Sequence, residues 1–167
     1  PKSFKALASE RFAGQWQWST MSHNIRPSGV ACRNMCAYCY ITPMFQRWGR
    51  KIVAPDVEEL MPVDSTKIAK RFKPSKPKDR QMVFFPSSSD IFAENAEDYV
   101  SCCKRIIDAG HEVFFVTKPT MKSIRAVADC FEKAGQKYKN AVHVYVTITS
   151  GDDAVLKLFE PRAATFA

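Results

Sequence analysis

The chain has 167 residues, of which 46% are hydrophobic, and its formal net charge is +8 at pH 7. This length and hydrophobic content suit one compact domain, 1–167, with a real core, and they argue against disorder. The longest apolar stretches, such as 113–116 and 142–148, are far shorter than the ~20 residues of a membrane-spanning helix. No secretory signal is visible, so we expect a cytoplasmic protein with no membrane partner.

Part of the positive charge is concentrated in one basic segment, Lys67–Arg80, which contains seven lysine and arginine residues (Lys67, Lys70, Arg71, Lys73, Lys76, Lys78 and Arg80). Such a segment either contacts an anionic partner, with nucleic acid as the leading candidate, or forms a solvated surface. The sequence contains no base-reading motif, and both interpretations stay open.

The first half of the chain predicts little regular structure. Residues 1–30 are predicted to be an irregular N-terminal extension, and a cysteine-rich loop follows at 31–40. A short helix is predicted at Tyr40–Trp48. Asp64 is predicted to cap a basic helix that runs to about Lys73.

From residue 81 onward, strand and helix patterns alternate. Continuous apolar runs predict three strands, and residues at helical spacing predict a helix after each strand. The strands are Met82–Phe85, Val113–Val116 and Val142–Ile148; the helices contain Tyr99, Cys103 and Ile106 before Gly110, then Met121–Ala134 before Gly135, then Asp152–Phe159. This alternation indicates a parallel sheet covered by helices, with functional loops at the carboxyl ends of the strands. The strands are too few for a closed barrel, which predicts either a fragment or an open half-barrel.

Three of the six cysteines, Cys32, Cys36 and Cys39, are separated by three and then two residues. One short loop can point all three thiols inward. Thiolates are soft ligands that favour iron-sulfur clusters or zinc, and iron-sulfur clusters usually take four of them. Three thiolates leave one iron without a protein ligand, and an open coordination position is where metal chemistry is done.

Two alternatives use a fourth protein ligand. Structural zinc would need His23 or a distant cysteine to complete the site, although such sites usually consist of two cysteine pairs and no second pair is present. An electron-transfer cluster would need Cys102, Cys103 or Cys130. The alternatives to an enzyme are therefore a non-enzymatic electron-transfer or redox-sensing protein and a zinc-dependent nucleic-acid-binding module.

The CxxxCxxC spacing, with aromatic Tyr38 before the last cysteine, resembles the signature of the radical S-adenosylmethionine (SAM) superfamily. The resemblance extends from about Trp18 to the end of the chain and looks closest to the spore photoproduct lyase-like proteins. Four further segments carry it: Phe84–Ile91, Val116–Pro119, Thr147–Asp153 and Leu158–Arg162. It implies an α/β fold, a partial (β/α) barrel with parallel strands inside and helices outside, incomplete at the C-terminus.

The resemblance also implies cofactors and a reaction. In the family, three cysteines hold a [4Fe-4S] cluster whose open iron binds the amino and carboxylate groups of SAM. An electron from an external donor cleaves SAM, and the resulting 5′-deoxyadenosyl radical abstracts a hydrogen atom from the substrate. The protein supplies positioning, while the cofactor carries the difficult chemistry.

The same resemblance assigns SAM contacts to individual residues. The loop of Ser87, Ser88 and Ser89 stands where family members contact the methionine amino group, and Lys118 matches a lysine that pairs with the methionine carboxylate. Further contacts are implied for Thr149 and Ser150 with ribose or carboxylate, for Tyr38 with adenine and for Arg162 with a carboxylate. Thr147 shares a strand face with Thr149 only by alternation.

The sequence departs from the spore photoproduct lyases next to the serine loop. Those enzymes repair a thymine dimer and place a hydrogen-donating cysteine beside this loop, whereas Phe85–Ser88 contains none. Dimer repair is therefore not implied. Nucleic acid stays the predicted substrate class, on the basic segment alone.

Overall fold

The computed structural model describes residues 19, 21–56, 58–118 and 120–163. Within these residues, four parallel strands form one open sheet in which the spatial order follows the chain order. The predicted α/β fold is confirmed, and the unclosed parallel sheet is consistent with a partial barrel. The strands are β1 (Met21–Ser22), β2 (Met82–Phe84), β3 (Glu112–Thr117) and β4 (Val142–Val146).

Six α-helices and two short 3₁₀ helices occur in the described residues. The two longest α-helices flank β3 in the chain, and their boundaries follow from local sequence. Thr120 caps the second of them by accepting a hydrogen bond from the Ser123 amide, and Gly135 ends it with a φ of 102°. The helices are α1 (Ile41–Arg47), α2 (Ser65–Ile68), α3 (Ala96–Asp108), α4 (Met121–Ala134), α5 (Gln136–Lys139) and α6 (Asp153–Phe159), and the 3₁₀ helices are Pro77–Asp79 and Ala93–Asn95.

The hydrophobic core lies where α3 and α4 pack against the sheet. Strand residues Val83, Val113 and Phe115 are fully buried, as is Ile106 of α3. Because parallel strands covered by helices bury both faces, their sequences are continuously apolar rather than alternating. This core fixes the strands side by side and brings their carboxyl ends to one edge.

Two predicted boundaries in the first half of the chain are wrong. Strand β1 lies inside the segment predicted to be irregular; residues 1–18 of that segment lie outside the described residues. Asp64 caps α2 as predicted, through the amides of Thr66 and Lys67, but α2 ends at Ile68 instead of about Lys73. The physical reason is that Phe72 is buried against the core, and Pro74 disfavours helix at the residue before it.

The loops that follow the four strands meet at the carboxyl edge of the sheet. The loop after β1 contains the three closely spaced cysteines, and the loop after β2 contains the three serines. Lys118 follows β3 directly, and Thr147 follows β4. None of the helices in the described ranges is both long and apolar enough to cross a lipid bilayer.

Candidate functional site

A cavity of about 200 Å³ opens at the carboxyl edge of the sheet. All four strand-end loops contribute to its wall. The polar lining residues are Cys32, Asn34, Cys36, Cys39, Tyr40, Thr42, Ser87, Ser88, Ser89, Asp90, Thr117, Lys118 and Thr147. The structure thus brings the three closely spaced cysteines together with the serine loop and Lys118, although these groups are distant in sequence.

Tight turns shape the cysteine loop. The Cys39 amide donates to the Cys36 carbonyl at 3.0 Å, and the Met35 amide donates to the Cys32 carbonyl at 3.3 Å. Met35 has a φ of 47°, which is uncommon for a residue other than glycine. The Ala37 amide also donates to the Phe159 carbonyl at 2.8 Å, so the end of α6 fixes the middle of the loop.

Burial raises the pKa values of Cys32 and Cys36. It raises the pKa of Cys32 to about 11. It also raises the pKa of Cys36, on which the Lys118 ammonium acts in the opposite direction. Both thiols therefore keep their protons at neutral pH in the metal-free protein, and metal binding to them releases protons.

The Asp90 carboxylate connects three strand-end loops. It accepts hydrogen bonds from Asn34 Nδ2 at 2.9 Å, from the Lys118 amide at 2.9 Å, from the Ile91 amide at 2.8 Å and from the Thr117 hydroxyl. Burial raises the pKa of Asp90, whereas the bonds from Thr117, Lys118 and Ile91 lower it. Asp90 thereby fixes the cysteine loop relative to the end of β3.

A second buried carboxylate, Glu160, holds the opposite side of Lys118. Its Oε1 accepts a hydrogen bond from the Tyr38 hydroxyl and another from Thr149 Oγ1 at 2.5 Å. Lys118 Nζ lies 3.8 Å from Oε1 and 5.3 Å from the centre of the Tyr38 ring. Burial raises the pKa of Glu160. Two predicted SAM contacts, Tyr38 and Thr149, are thus bound to this carboxylate and do not line the cavity.

Two other predicted SAM contacts also lie outside the cavity lining. Ser150 Oγ accepts a hydrogen bond from the Asp152 amide at 3.0 Å, at the start of α6. Arg162 Nη1 donates to the Pro55 carbonyl at 3.1 Å. Thr147 takes the position in the cavity wall instead, because β4 ends at residue 146 and Thr147 is the first residue beyond it.

Three contributions to the site were not predicted from the sequence: those of Asn34 and Glu160, and the linking role of Asp90. Asn34 stands between the first two cysteines, so its sequence position was an available signal. Glu160 lies in the segment Leu158–Arg162 that carries the family resemblance, but its pairing with Tyr38, 122 residues away in the chain, had no local signal.

Candidates for a fourth metal ligand lie elsewhere. His23 Nε2 is 2.9 Å from the Lys67 carbonyl, and the imidazole ring stacks on Phe85. Cys102 and Cys103 are fully buried on α3. In the described part of the chain, no three histidine, cysteine, aspartate or glutamate side chains are grouped so that they could hold one metal ion.

The three thiols that line one cavity fit a cluster that is held by three protein thiolates. The ligands of a cluster are distributed over several iron atoms and need not converge on one point. Ser88 Oγ, in the cavity wall, is buried without a hydrogen-bond partner in the described residues. A small polar ligand in the cavity would supply that partner.

Comparison with known proteins gives one match. Residues 27–167 match the sequence model of the family described as the Radical SAM superfamily. No curated protein and no solved structure matches the chain. The matched region includes the cysteine loop, the serine loop and Lys118. The chain therefore belongs to the radical SAM superfamily.

Proposed function

We propose that this protein is a radical SAM enzyme that binds a [4Fe-4S] cluster through Cys32, Cys36 and Cys39 and cleaves SAM reductively. The observation that carries the proposal is the convergence of these thiols with the serine loop and Lys118 on one cavity. Membership of the superfamily implies enzyme activity, SAM binding and an external electron donor. With SAM bound, the cluster would supply a 5′-deoxyadenosyl radical for hydrogen abstraction.

The residues around the cavity would bind and orient SAM. The hydroxyls of Ser87 and Ser89 and the buried hydroxyl of Ser88 can accept hydrogen bonds from its ammonium group. Lys118 has a side chain that is 20% exposed and only a long 3.8 Å contact with Glu160, so its ammonium can pair with the methionine carboxylate.

The four remaining predicted contacts receive different roles in this proposal. Tyr38 and Thr149 act through Glu160, because they fix the carboxylate beside which Lys118 lies. Ser150 and Arg162 bind other parts of the chain, and nothing in the cavity geometry supports direct contact between them and SAM.

The first test is SAM cleavage by the anaerobically reconstituted protein. With dithionite as electron donor, we expect 5′-deoxyadenosine and methionine, which can be measured by liquid chromatography and mass spectrometry. An intact cluster without either product would favour the electron-transfer or redox-sensing alternative. Bound zinc without reconstitutable iron would favour the zinc-dependent module.

The second test concerns Lys118. Lys118→Met should weaken SAM binding by about tenfold or more, because hydrogen bonds to charged groups contribute ~1.5–3 kcal/mol. Equilibrium dialysis with labelled SAM measures this, and iron content should remain at the wild-type level. Lys122→Met, at an exposed position of α4, is the matched control. Unchanged affinity of the Lys118 variant would remove this residue from the proposed site.

The substrate proposal rests on the basic segment. Arg80 pairs with Glu112 at 3.0 Å, and Lys67 Nζ donates to the Arg26 carbonyl at 2.5 Å. Arg71, Lys73, Lys76 and Lys78 are exposed. Glu112 is the first residue of β3, so the Arg80 end of the segment lies at the amino edge of the sheet, opposite the cavity, and nucleic acid as the substrate is proposed on the positive charge alone. We propose a relationship to the spore photoproduct lyase-like proteins on the serine loop and Lys118 only. This proposal does not include repair of thymine dimers.

A further inference from the structure

A second cavity, of about 470 Å³, lies beside the thiol-lined one. It is bounded by the loop after β1, by α1 and by the serine loop. Tyr40, Ile41, Ser87 and Ser88 line both cavities. Because the two cavities share these residues, a molecule that occupies the second one lies directly next to the proposed SAM site.

Arg26 is the unusual residue of this second cavity. It is only 4% exposed, yet its Nε and Nη1 atoms are buried without a hydrogen-bond partner in the described residues. Burial lowers the pKa of Arg26, but a guanidinium stays protonated in proteins. The guanidinium carbon lies 5.5 Å from the centre of the Phe45 ring, but a buried charge without an anionic partner still costs several kcal/mol of desolvation. Among the residues that the structure describes, no anion therefore pairs with this side chain.

The surroundings of Arg26 favour an anionic ligand. None of the residues that line the second cavity is aspartate or glutamate, whereas Lys67 adds another positive charge. The Asp64 carboxylate lies 3.8 Å from Lys67 Nζ, outside the lining of the cavity. The unpartnered hydroxyl of Ser88 is a donor that is available to the same ligand.

We propose that the second cavity binds an oxyanion, phosphate or carboxylate, carried by the substrate, with Arg26 as its main contact and Ser88 as a second donor. The inference rests on the proposed function in one respect: the ligand is identified as the substrate of the neighbouring SAM site. The rival counter-charge for Arg26 is the cysteine loop once metal binding ionises its thiols, since Cys32 and Cys39 as thiolates would interact with the guanidinium. The oxyanion is favoured because Arg26 lines the second cavity and does not line the one that contains the thiols.

Thermal unfolding of the cluster-loaded protein tests the proposal. Inorganic phosphate should raise the midpoint temperature of unfolding of the wild-type protein relative to chloride at equal ionic strength. Malonate serves as the probe for a carboxylate ligand. Arg26→Met should remove this increase in the midpoint temperature. In chloride, the midpoint temperature of the variant should not fall below that of the wild type, because the variant lacks a buried charge without an anionic partner. Arg47→Met, at an exposed position of the adjacent α1, should keep the full shift.

Three results would overturn the proposal. The first is the absence of a shift with both phosphate and malonate, and the second is an equal shift in Arg26→Met. The third concerns the midpoint temperatures of unfolding in chloride alone. If the difference between wild type and Arg26→Met changes when the cluster is removed, the cluster is the counter-charge of Arg26. If Arg26→Met does not fold, Arg26→Lys should weaken phosphate binding at least about tenfold, because lysine cannot form bidentate contacts.

These measurements do not depend on SAM cleavage. A phosphate shift in a protein that produces no 5′-deoxyadenosine would refute the proposed function and leave the anion site in place. SAM cleavage without any anion-dependent shift would refute the anion site alone.

Discussion

Cys36→Ala is expected to abolish both the iron-sulfur cluster and SAM cleavage. The variant leaves two thiols in the cavity. The proposed cluster needs three thiolates, one for each iron except the fourth, which has no protein ligand. The expected loss in cluster affinity exceeds ~100-fold, since even changes outside the ligand shell cost ~10–100-fold. The measurements are the iron-to-protein ratio after anaerobic reconstitution and the yield of 5′-deoxyadenosine.

Cys130→Ala is the matched control for this prediction. Cys130 lies on α4 and lines a groove with Lys104 and Arg105, away from the three-thiol cavity. The variant should keep its iron and its cleavage activity. Loss of iron in Cys130→Ala, or full retention of iron in Cys36→Ala, would show that the proposed ligand set is wrong.

Asp90→Ala should cause the largest loss of stability at the site. It leaves the amides of Ile91 and Lys118, the Asn34 side chain and the Thr117 hydroxyl without their acceptor. Leaving a buried donor without its acceptor costs ~1–3 kcal/mol per group, so we expect the free energy of unfolding to fall by at least about 3 kcal/mol. Chemical denaturation of the cluster-free protein measures the free energy of unfolding directly.

Two further variants make this experiment specific. Asp129→Ala removes an exposed carboxylate from α4 and should change the free energy of unfolding by less than about 0.5 kcal/mol. Asp90→Asn keeps one acceptor oxygen and should lie between wild type and Asp90→Ala. If Asp90→Ala is as stable as Asp129→Ala, the carboxylate does not hold the loops together.

Features encoded over short stretches could be predicted from the sequence. The three cysteines lie within eight residues, so their spacing alone indicated a shared site. The boundaries of α4 were predicted as Met121–Ala134, with Gly135 as the local signal for its end. Strands β2 and β3 were recognisable because their sequences are continuously apolar, although Met82 and Phe84 of β2 are only partly buried.

Features that depend on distant contacts could not be predicted. Asn34 and Asp90 are 56 residues apart, and no local pattern reports their hydrogen bond. Strand β1 has only two residues and exists through its pairing with β2. Thr149 and Ser150 were assigned to a strand end that lies at Val146 instead, so only Thr147 reaches the cavity.

The outer side of β4 has a consequence for work with the purified polypeptide. β4 is a terminal strand of the described sheet, and Val144, Val146 and Ile148 are 51%, 52% and 67% exposed. An apolar edge with free backbone donors and acceptors is a template for pairing with another copy. Wherever no further strand covers this edge, aggregation at high concentration will limit the yield of soluble material, and lysine substitutions along β4 are the natural remedy.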